Sequence, residues 1–192
     1  MTLIAFCSSM QAESAKSILD KAAATVSSPQ GVEARFQIVS RQFGSTSGSI
    51  AIKGNKFQAT TPQAIIWFDG KTQWAYMRQN DEVNISTPSE VELQAINPYN
   101  FINIYKKGFR LSSKKVANSY EVHLIAKDKS RHIQEMYIIV DQASYRPTHV
   151  KMKTNGKWST IIISGLKTTP LSDTIFKFNA KDYPKAEIID LR

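Results

Sequence analysis

The sequence predicts a mainly β protein with a few helices, built on one curved antiparallel sheet, an open β-barrel of about ten to eleven strands. Two observations lead to this prediction. Many segments alternate apolar and polar residues with a period of two, as half-buried strands do. Turn sequences separate these segments at short intervals, which favours hairpins over the long crossovers that parallel strands need. A sheet of that size must curl, because a flat one exposes long edges.

The first periodic segment is an exception, because its period is helical. Residues 14–26 place alanine, isoleucine and leucine on one side, while Lys16 and Asp20 lie elsewhere on the helical wheel. Ser14 is a good N-cap, and Pro29 follows the last turn. An amphipathic helix is therefore predicted over residues 14–26.

The strands are predicted to begin after Gly31, where the period changes to two. Asp69-Gly70 and Asn155-Gly156 are the clearest hairpin turns, because these residue types tolerate a positive φ. We therefore expect a meander built from residues 32–41, 49–53, 56–60, 63–68, 72–78, 82–87, 120–127, 133–140, 148–154, 157–166 and 174–179.

One long segment interrupts the alternation. Residues 89–107 are rich in apolar side chains without a period of two, and Asn97-Pro98 divides them. Ser89 with Glu92 fits a capping box for one short helix, and Pro98 suits the first turn of a second. Because neither helix could bury its apolar side alone, we expect both to lie with the N-terminal helix on the concave side of the sheet.

Residues 1–12 resemble the end of a secretory signal. An apolar run that includes Cys7 is followed by small residues and Ala12. Phe6 before the cysteine disfavours a lipid-attachment site, where a small residue is usual. We expect a leader remnant over residues 1–12, with an ordinary N-terminal extension as the alternative, and a single domain over residues 13–192. No later segment approaches the ~20 apolar residues of a membrane span.

The chain is strongly basic, since 25 Lys and Arg against 16 Asp and Glu give a formal charge of +9. Acidic partners such as nucleic acid or anionic headgroups must therefore be considered. The basic residues are scattered, which favours a solvated surface over one docking site. Trp74 and Tyr76 share a strand face, but Arg78 falls at the strand end. Packing in the core therefore explains the two aromatic rings as well as a platform for stacking nucleic-acid bases does. Together with an export signal, this pattern predicts no nucleic-acid partner.

We find no motif for catalysis, metal binding or a cofactor. His123, His132 and His149 are dispersed through the predicted strands, without the close spacing of a helical metal site. The sequence has no nucleophile elbow, phosphate-binding glycine loop or dinucleotide fingerprint. The single Cys7 cannot form an internal disulfide. We therefore expect a protein that is not an enzyme and that uses no metal or cofactor.

The apolar residues of the predicted strands are more informative. Gathered on one inward face, they form either a dry packed core or an under-filled concavity for an apolar ligand, and alternation alone leaves both open. The predicted wall of such a cavity consists of Phe36, Ile38, Ile50, Ile52, Phe57, Trp67, Trp74, Tyr76, Val122, Leu124, Met136 and Ile138. The predicted lid consists of Ile18, Leu19, Phe101, Ile104 and Tyr105.

Residues 63–76, QAIIWFDGKTQWAY, resemble the central signature of the LolA-type lipoprotein carriers. In that family a hydrophobic strand ends in Asp-Gly-Lys, and the next strand carries Trp-x-Tyr. Further features follow in the family's order: the helix at 14–26, the strand at 32–43, GSIAIK at 48–53, the insert near Asn97-Pro98 and FKF at 176–178. The resemblance spans about residues 14–190.

The resemblance implies an open β-barrel whose hydrophobic cavity, lidded by helices, shields the acyl chains of a lipoprotein in the periplasm on its way to the outer membrane. It implies three partners: lipoprotein acyl chains or another lipid, an inner-membrane lipoprotein-releasing complex and an outer-membrane acceptor. A periplasmic sensor or scaffold of the same fold, binding a protein partner, is the alternative. The arginine that latches the family's lid is replaced here by the run Lys53-Gly54-Asn55-Lys56, so the latch is absent or is formed by a lysine.

Overall fold

The computed structural model describes residues 13–40, 44–89, 92 and 104–192. In this part of the chain, twelve strands form a single unclosed, curved sheet with the order β12-β6-β5-β4-β3-β2-β1-β11-β10-β9-β8-β7, and one α-helix packs against it. The predicted fold class is confirmed. The elements are α1 (Ala15–Val26), β1 (Val32–Ser40), β2 (Gly44–Lys53), β3 (Lys56–Thr60), β4 (Ala64–Phe68), β5 (Gln73–Met77), β6 (Glu82–Ser86), β7 (Phe109–Val116), β8 (Ser119–Ala126), β9 (Ile133–Asp141), β10 (Pro147–Thr154), β11 (Lys157–Thr168) and β12 (Glu187–Asp190).

The helix α1 forms where its periodicity predicts it. The side chain of Ser14 accepts a hydrogen bond from the backbone N–H of Ser17 at 3.1 Å, which satisfies one of the free donors of the first turn. The apolar stripe of the helix is buried: Ala15, Ile18, Leu19, Ala22 and Val26. One face of α1 is therefore fixed on the sheet, while its charged face remains in solvent.

The strand register separates two faces of the sheet. Residues directly opposite each other in an antiparallel pair project to the same face, and neighbours along a strand project to opposite faces. Phe36 of β1 lies opposite Ile163 of β11, on the face against which α1 packs. Val32 lies opposite Ile52, and Ile52 opposite Phe57, so this face continues into β3. We call it the helix-bearing face, and the other the helix-free face.

The two predicted hairpin turns differ in detail. Asn155 and Gly156 both have positive φ, 50° and 76°, which gives the tight two-residue turn that twisted strands favour. The turn at Asp69-Gly70 is longer, since residues 69–72 separate β4 from β5, and the Asp69 carboxylate accepts the backbone N–H groups of Lys71 and Thr72 at 3.0 and 2.9 Å. Asp69 therefore contributes to this turn through its side chain as well as its backbone.

Two strands were not predicted from the sequence, and one predicted strand is wrong. The edge strand β7 has a polar sequence, FRLSSKKV, that hides its alternation, and β12 is a short strand that pairs in parallel with β6. Residues 174–179 do not form the predicted strand. Asp173–Phe176 is instead a 3₁₀ helix capped by the Ser172 side chain, and Phe176 is fully buried.

The C-terminal segment leading to β12 crosses the helix-free face. The ring of Phe178 lies 5.6 Å from that of Trp67, and the ring of Tyr183 lies 4.6 Å from that of Tyr76. The segment is fastened at its start by Asp173, which pairs with Lys53 and Lys56 at 3.0 and 2.8 Å. The C-terminal segment thereby covers aromatic side chains of β4 and β5 on the helix-free face.

Gly48 is the position where the sheet leaves least room for a side chain. A Cβ added there would lie 2.1 Å from the carbonyl oxygen of Thr60 and 2.8 Å from the ring of Phe36. We therefore expect Gly48→Ala to lower the free energy of unfolding by about 1–3 kcal/mol, as measured by chemical denaturation. Ser47→Ala, at the exposed neighbouring position, should change it by less than about 0.5 kcal/mol. Equal stability of the two variants would contradict the close approach of β2 and β3.

Candidate functional site

Most of the predicted wall lies on the helix-bearing face. The strand pairs align an apolar row from β3 through β2, β1, β11, β10 and β9 to β8. The predicted wall residues in this row are Phe36, Ile38, Ile50, Ile52, Phe57, Val122, Leu124, Met136 and Ile138. These side chains come from five of the seven strands along this row, β1, β2, β3, β8 and β9.

The prediction that Trp67, Trp74 and Tyr76 belong to the same wall is wrong. Phe68 lies opposite Phe57 on the helix-bearing face, and Trp67 precedes Phe68, so it projects the other way. Trp74 lies opposite Trp67, and Tyr76 follows two residues later on the same face. These rings pack under the C-terminal segment instead. Alternation could not reveal this, because β4 is apolar on both faces.

The centre of the helix-bearing face is filled by α1. Ile18 and Leu19, two of the predicted lid residues, are 0% exposed, and they pack in one core with side chains of β7 to β11. The partners that are also 0% exposed are Val122, Leu124, Met136, Ile138, Val140 and Val150. The helix therefore occupies the place that an apolar ligand would need.

A half-buried apolar strip borders the footprint of α1. Phe36 and Ile38 of β1, Met152 of β10, and Ile163 and Leu166 of β11 pack against the buried core while remaining partly exposed. A ligand would meet these side chains before it displaced the helix. The strip is the accessible part of the candidate site.

The strip connects to a second buried cluster on the same face. Its members are Val32, Ala34, Ile50, Ile52, Phe57 and Phe68, and the rings of Phe57 and Phe68 lie 5.5 Å apart. Phe36, Ile163 and Leu166 pack against both clusters. The apolar surface is thus continuous from β4 to β7.

Polar contacts hold the N-terminal end of α1 to the rim of the sheet. Glu13 accepts from Lys21 at 2.6 Å and from the Tyr145 hydroxyl at 2.8 Å. The Lys21 ammonium also lies 4.4 Å from the centre of the Tyr145 ring. These hydrogen bonds lower the pKa of Glu13 from 4.5 to about 2, with that of Lys21 the largest cause. We call these three residues, with Asp20 and Tyr105, the helix clasp.

The second half of the helix clasp joins α1 to the short 3₁₀ helix formed by Ile104–Lys106, just before β7. The Tyr105 hydroxyl donates to Asp20, which also accepts from Lys16 at 2.7 Å. The hydrogen bond from Lys16, followed by that from Tyr105, lowers the pKa of Asp20. Of the predicted lid residues in this segment, Tyr105 is buried, Ile104 is half-buried, and Phe101 lies outside the described residues.

Lys53, a candidate for the lid latch, bonds to the C-terminal segment. Lys53 donates to the backbone carbonyl of Leu171 at 2.8 Å and pairs with Asp173. It therefore fastens the C-terminal segment. The helix clasp ties α1 through Tyr105 and Tyr145, which lie 85 and 132 residues from their carboxylate partners, so no local sequence pattern revealed these contacts.

The predicted capping box is formed, although most of the segment predicted as two helices lies outside the described residues. The Glu92 carboxylate accepts from the backbone N–H and the hydroxyl of Ser89, both at 2.8 Å. The Ser89 hydroxyl accepts in turn from the N–H of Glu92 at 3.3 Å. These contacts lower the pKa of Glu92, mainly through the backbone hydrogen bond.

A separate cavity of about 460 Å³ lies on the helix-free face, between β1, β2, β3 and β11. Its polar lining residues are Glu33, Arg35, Ser49, Gln58 and Lys167, and Glu33 pairs with Lys167 at 3.1 Å. Charged walls do not favour hydrocarbon. This cavity is therefore a poor place for an acyl chain.

Neither metal ligands nor a membrane-spanning helix are found in the part of the chain that the structure describes. Across residues 13–40, 44–89, 92 and 104–192, no group of three histidine, cysteine or acidic side chains lies close enough to hold a metal ion. No helix in these ranges is long and apolar enough to cross a bilayer.

The fold and the site define a class of protein: an open antiparallel half-barrel with an amphipathic helix laid across its apolar face. The sequence profile of the family described as outer membrane lipoprotein carrier protein LolA matches residues 5–157. The chain belongs to this family, whose members are binding and carrier proteins rather than enzymes. No curated protein sequence matches the chain significantly.

Solved structures share this fold at low sequence identity. A conserved uncharacterised protein from Thermus thermophilus gives a TM-score of 0.62 at 15% identity, covering 92% of this chain and 98% of its own. The lipoprotein LppX of Mycobacterium tuberculosis gives 0.50 at 8% identity, covering 82% and 97%. A LolA superfamily protein from Nitrosomonas europaea gives 0.45 at 17% identity, covering 87% and 99%. The first two similarities support the fold.

Proposed function

We propose that the protein is a periplasmic carrier that shields the acyl chains of lipoproteins on its helix-bearing face during transfer to the outer membrane. The observation that carries this proposal is the way α1 lies on that face. Apolar side chains fill the space beneath the helix, a half-buried apolar strip borders it, and the helix clasp fastens its rim. Membership of the family supports the same conclusion.

The proposed mechanism is an exchange of α1 for hydrocarbon. Lifting α1 exposes Ile18, Leu19 and three smaller apolar side chains, which costs roughly 6–8 kcal/mol. An acyl chain with on the order of 14 methylenes gains roughly 11 kcal/mol if it is fully buried in their place. Because a mobile chain packs less completely than a folded helix, the two quantities nearly balance, and loading and release remain reversible.

The proposed cycle has a donor and an acceptor. An inner-membrane lipoprotein-releasing complex would supply the lipoprotein, and an outer-membrane acceptor would receive it. Residues 1–12 would serve as the export signal that brings the protein to the periplasm. In this scheme the cargo binds through its acyl chains, whereas a scaffold of the same fold would bind its partner through protein surface alone.

A charge placed on the apolar strip should test the proposal. Ile38 is half-buried on the helix-bearing face, next to the footprint of α1. We expect Ile38→Glu to weaken binding of an apolar fluorescent dye by more than about tenfold, because a bound tail would have to desolvate a carboxylate at a cost of several kcal/mol. A fatty acid should displace the dye from the wild-type protein. The measurement is a fluorescence titration, with circular dichroism as the check on folding.

Val39→Glu is the matched control for this variant. Val39 is the next residue of β1, projects to the helix-free face and is 42% exposed, so its replacement should leave dye binding unchanged. Equal dye binding by Ile38→Glu and the wild type would contradict the proposal. Crosslinking in cells gives the second test: a carrier captures lipoproteins through their acylated ends, and crosslinks confined to protein surfaces would favour the scaffold.

A further inference from the structure

The helix-free face of β8 to β11 carries a row of aromatic and basic side chains that the proposed exchange does not use. The ring of His123 stacks on that of Tyr137, with centroids 4.2 Å apart and planes 4° apart. The ring of Tyr137 lies 5.8 Å from that of Trp158. The ammonium groups of Lys151 and Lys153 lie 4.7 and 5.8 Å from the centre of the Trp158 ring. We call these five residues the aromatic–lysine patch.

The Glu135 carboxylate lies among these side chains and is paired with them. Glu135 lies 2.8 Å from Nε2 of His123, accepts from the Tyr137 hydroxyl at 3.2 Å and lies 4.0 Å from the Lys153 ammonium. Burial opposes the charge of Glu135, but these hydrogen bonds outweigh it and lower its pKa. Among the described residues, no carboxylate forms an ion pair with the exposed Lys151. The patch therefore presents a net positive charge to a partner.

Exposed aliphatic side chains flank the patch on both sides. Val39 lies opposite Thr160, which lies opposite Lys151, and Val39 is 42% exposed. Ile125 lies opposite Glu135 on the other side and is 37% exposed. Ammonium groups over an indole ring, with aliphatic side chains beside them, match the boundary between lipid headgroups and acyl chains. Tryptophan and tyrosine favour that zone, and lysine extends its charge to the phosphates.

We propose that the aromatic–lysine patch docks the protein on the surface of a bilayer that contains anionic phospholipid. The formal charge of +9 gives long-range attraction to such a surface, and each lysine close to the headgroups adds to that attraction. The patch lies on the face opposite α1. Docking and acyl-chain binding are therefore separate activities of the two faces, and each is tested without the other.

Vesicle binding by the full chain tests the docking surface. We expect the protein to sediment with vesicles of phosphatidylcholine and phosphatidylglycerol, and to remain in solution with phosphatidylcholine alone. Lys151→Gln combined with Lys153→Gln should weaken binding about tenfold or more. Binding should be accompanied by a blue shift of tryptophan emission that Trp158→Phe removes. Added salt should weaken binding, because the attraction is screened.

Two controls separate this surface from general charge and from the cavity. Lys71→Gln combined with Lys185→Gln removes the same charge from exposed positions outside the patch and should leave vesicle binding close to that of the wild type. Ile38→Glu, which tests the helix-bearing face, should also bind vesicles normally.

Three results would overturn the docking proposal. The first is equal binding to neutral and anionic vesicles, and the second is an equal loss of binding in the two double-lysine variants. The third is binding to soluble polyglutamate together with unchanged Trp158 emission on vesicles, which would assign the patch to an acidic protein.

Discussion

Leu124→Ala is expected to lower the free energy of unfolding by about 3–5 kcal/mol, the upper part of the range for a buried leucine. Leu124 is 0% exposed and lies in the centre of β8, opposite Leu111 on one side and Met136 on the other. The sheet holds its neighbours in place by backbone pairing, so the vacated volume cannot close easily. Denaturant titration measures the change as a shift of the unfolding midpoint at unchanged slope.

Ile125→Ala is the matched control for Leu124→Ala. Ile125 follows in the same strand, projects to the helix-free face and is 37% exposed. We expect its replacement to cost less than about 1 kcal/mol. A comparable loss at both positions would contradict the assignment of the two faces. A small loss at Leu124 would mean that α1 moves to fill the space.

Removal of the charges of the helix clasp is expected to open the helix-bearing face. Glu13→Gln combined with Asp20→Asn keeps the shape of both side chains and removes their ion contacts. These carboxylates accept the hydrogen bonds from Tyr145 and Tyr105 that tie α1 to the rest of the protein, and a neutral amide accepts them less strongly, so apolar dye binding should increase on the order of tenfold. Glu33→Gln combined with Asp173→Asn, which removes two ion-paired carboxylates from the helix-free side, should leave dye binding unchanged.

Acid should produce the same opening in the wild-type protein. The pKa of Glu13 is lowered in the folded state from 4.5 to about 2. The docked helix is therefore fully stabilised by this carboxylate above its ordinary pKa, and the stabilisation disappears as the pH falls from about 4.5 towards 2. Dye binding should rise over that interval in the wild type and change less in the double variant. An identical pH profile for both proteins would contradict the role of the helix clasp.

Local sequence signals predicted the elements that depend on local physics. The helix α1 needs only a cap, an apolar stripe and a chain break, and all three lie within residues 14–29. The turn at Asn155-Gly156 needs two residues that accept positive φ. The apolar positions of β1, β8 and β9 were also predicted, because each of these strands has one buried face and one partly exposed face.

The sequence by itself determined α1, the run of short antiparallel strands and the amount of apolar side chain to be buried. The tertiary structure alone decided which apolar side chains share a face, since a period of two fixes directions within one strand and not between strands. Trp67 and Trp74 therefore lie on the helix-free face, where the C-terminal segment packs on them. The tertiary structure also decided that Glu13 contacts Tyr145, 132 residues away in the sequence. Such a contact depends on the packing of α1 against the sheet and not on any local pattern.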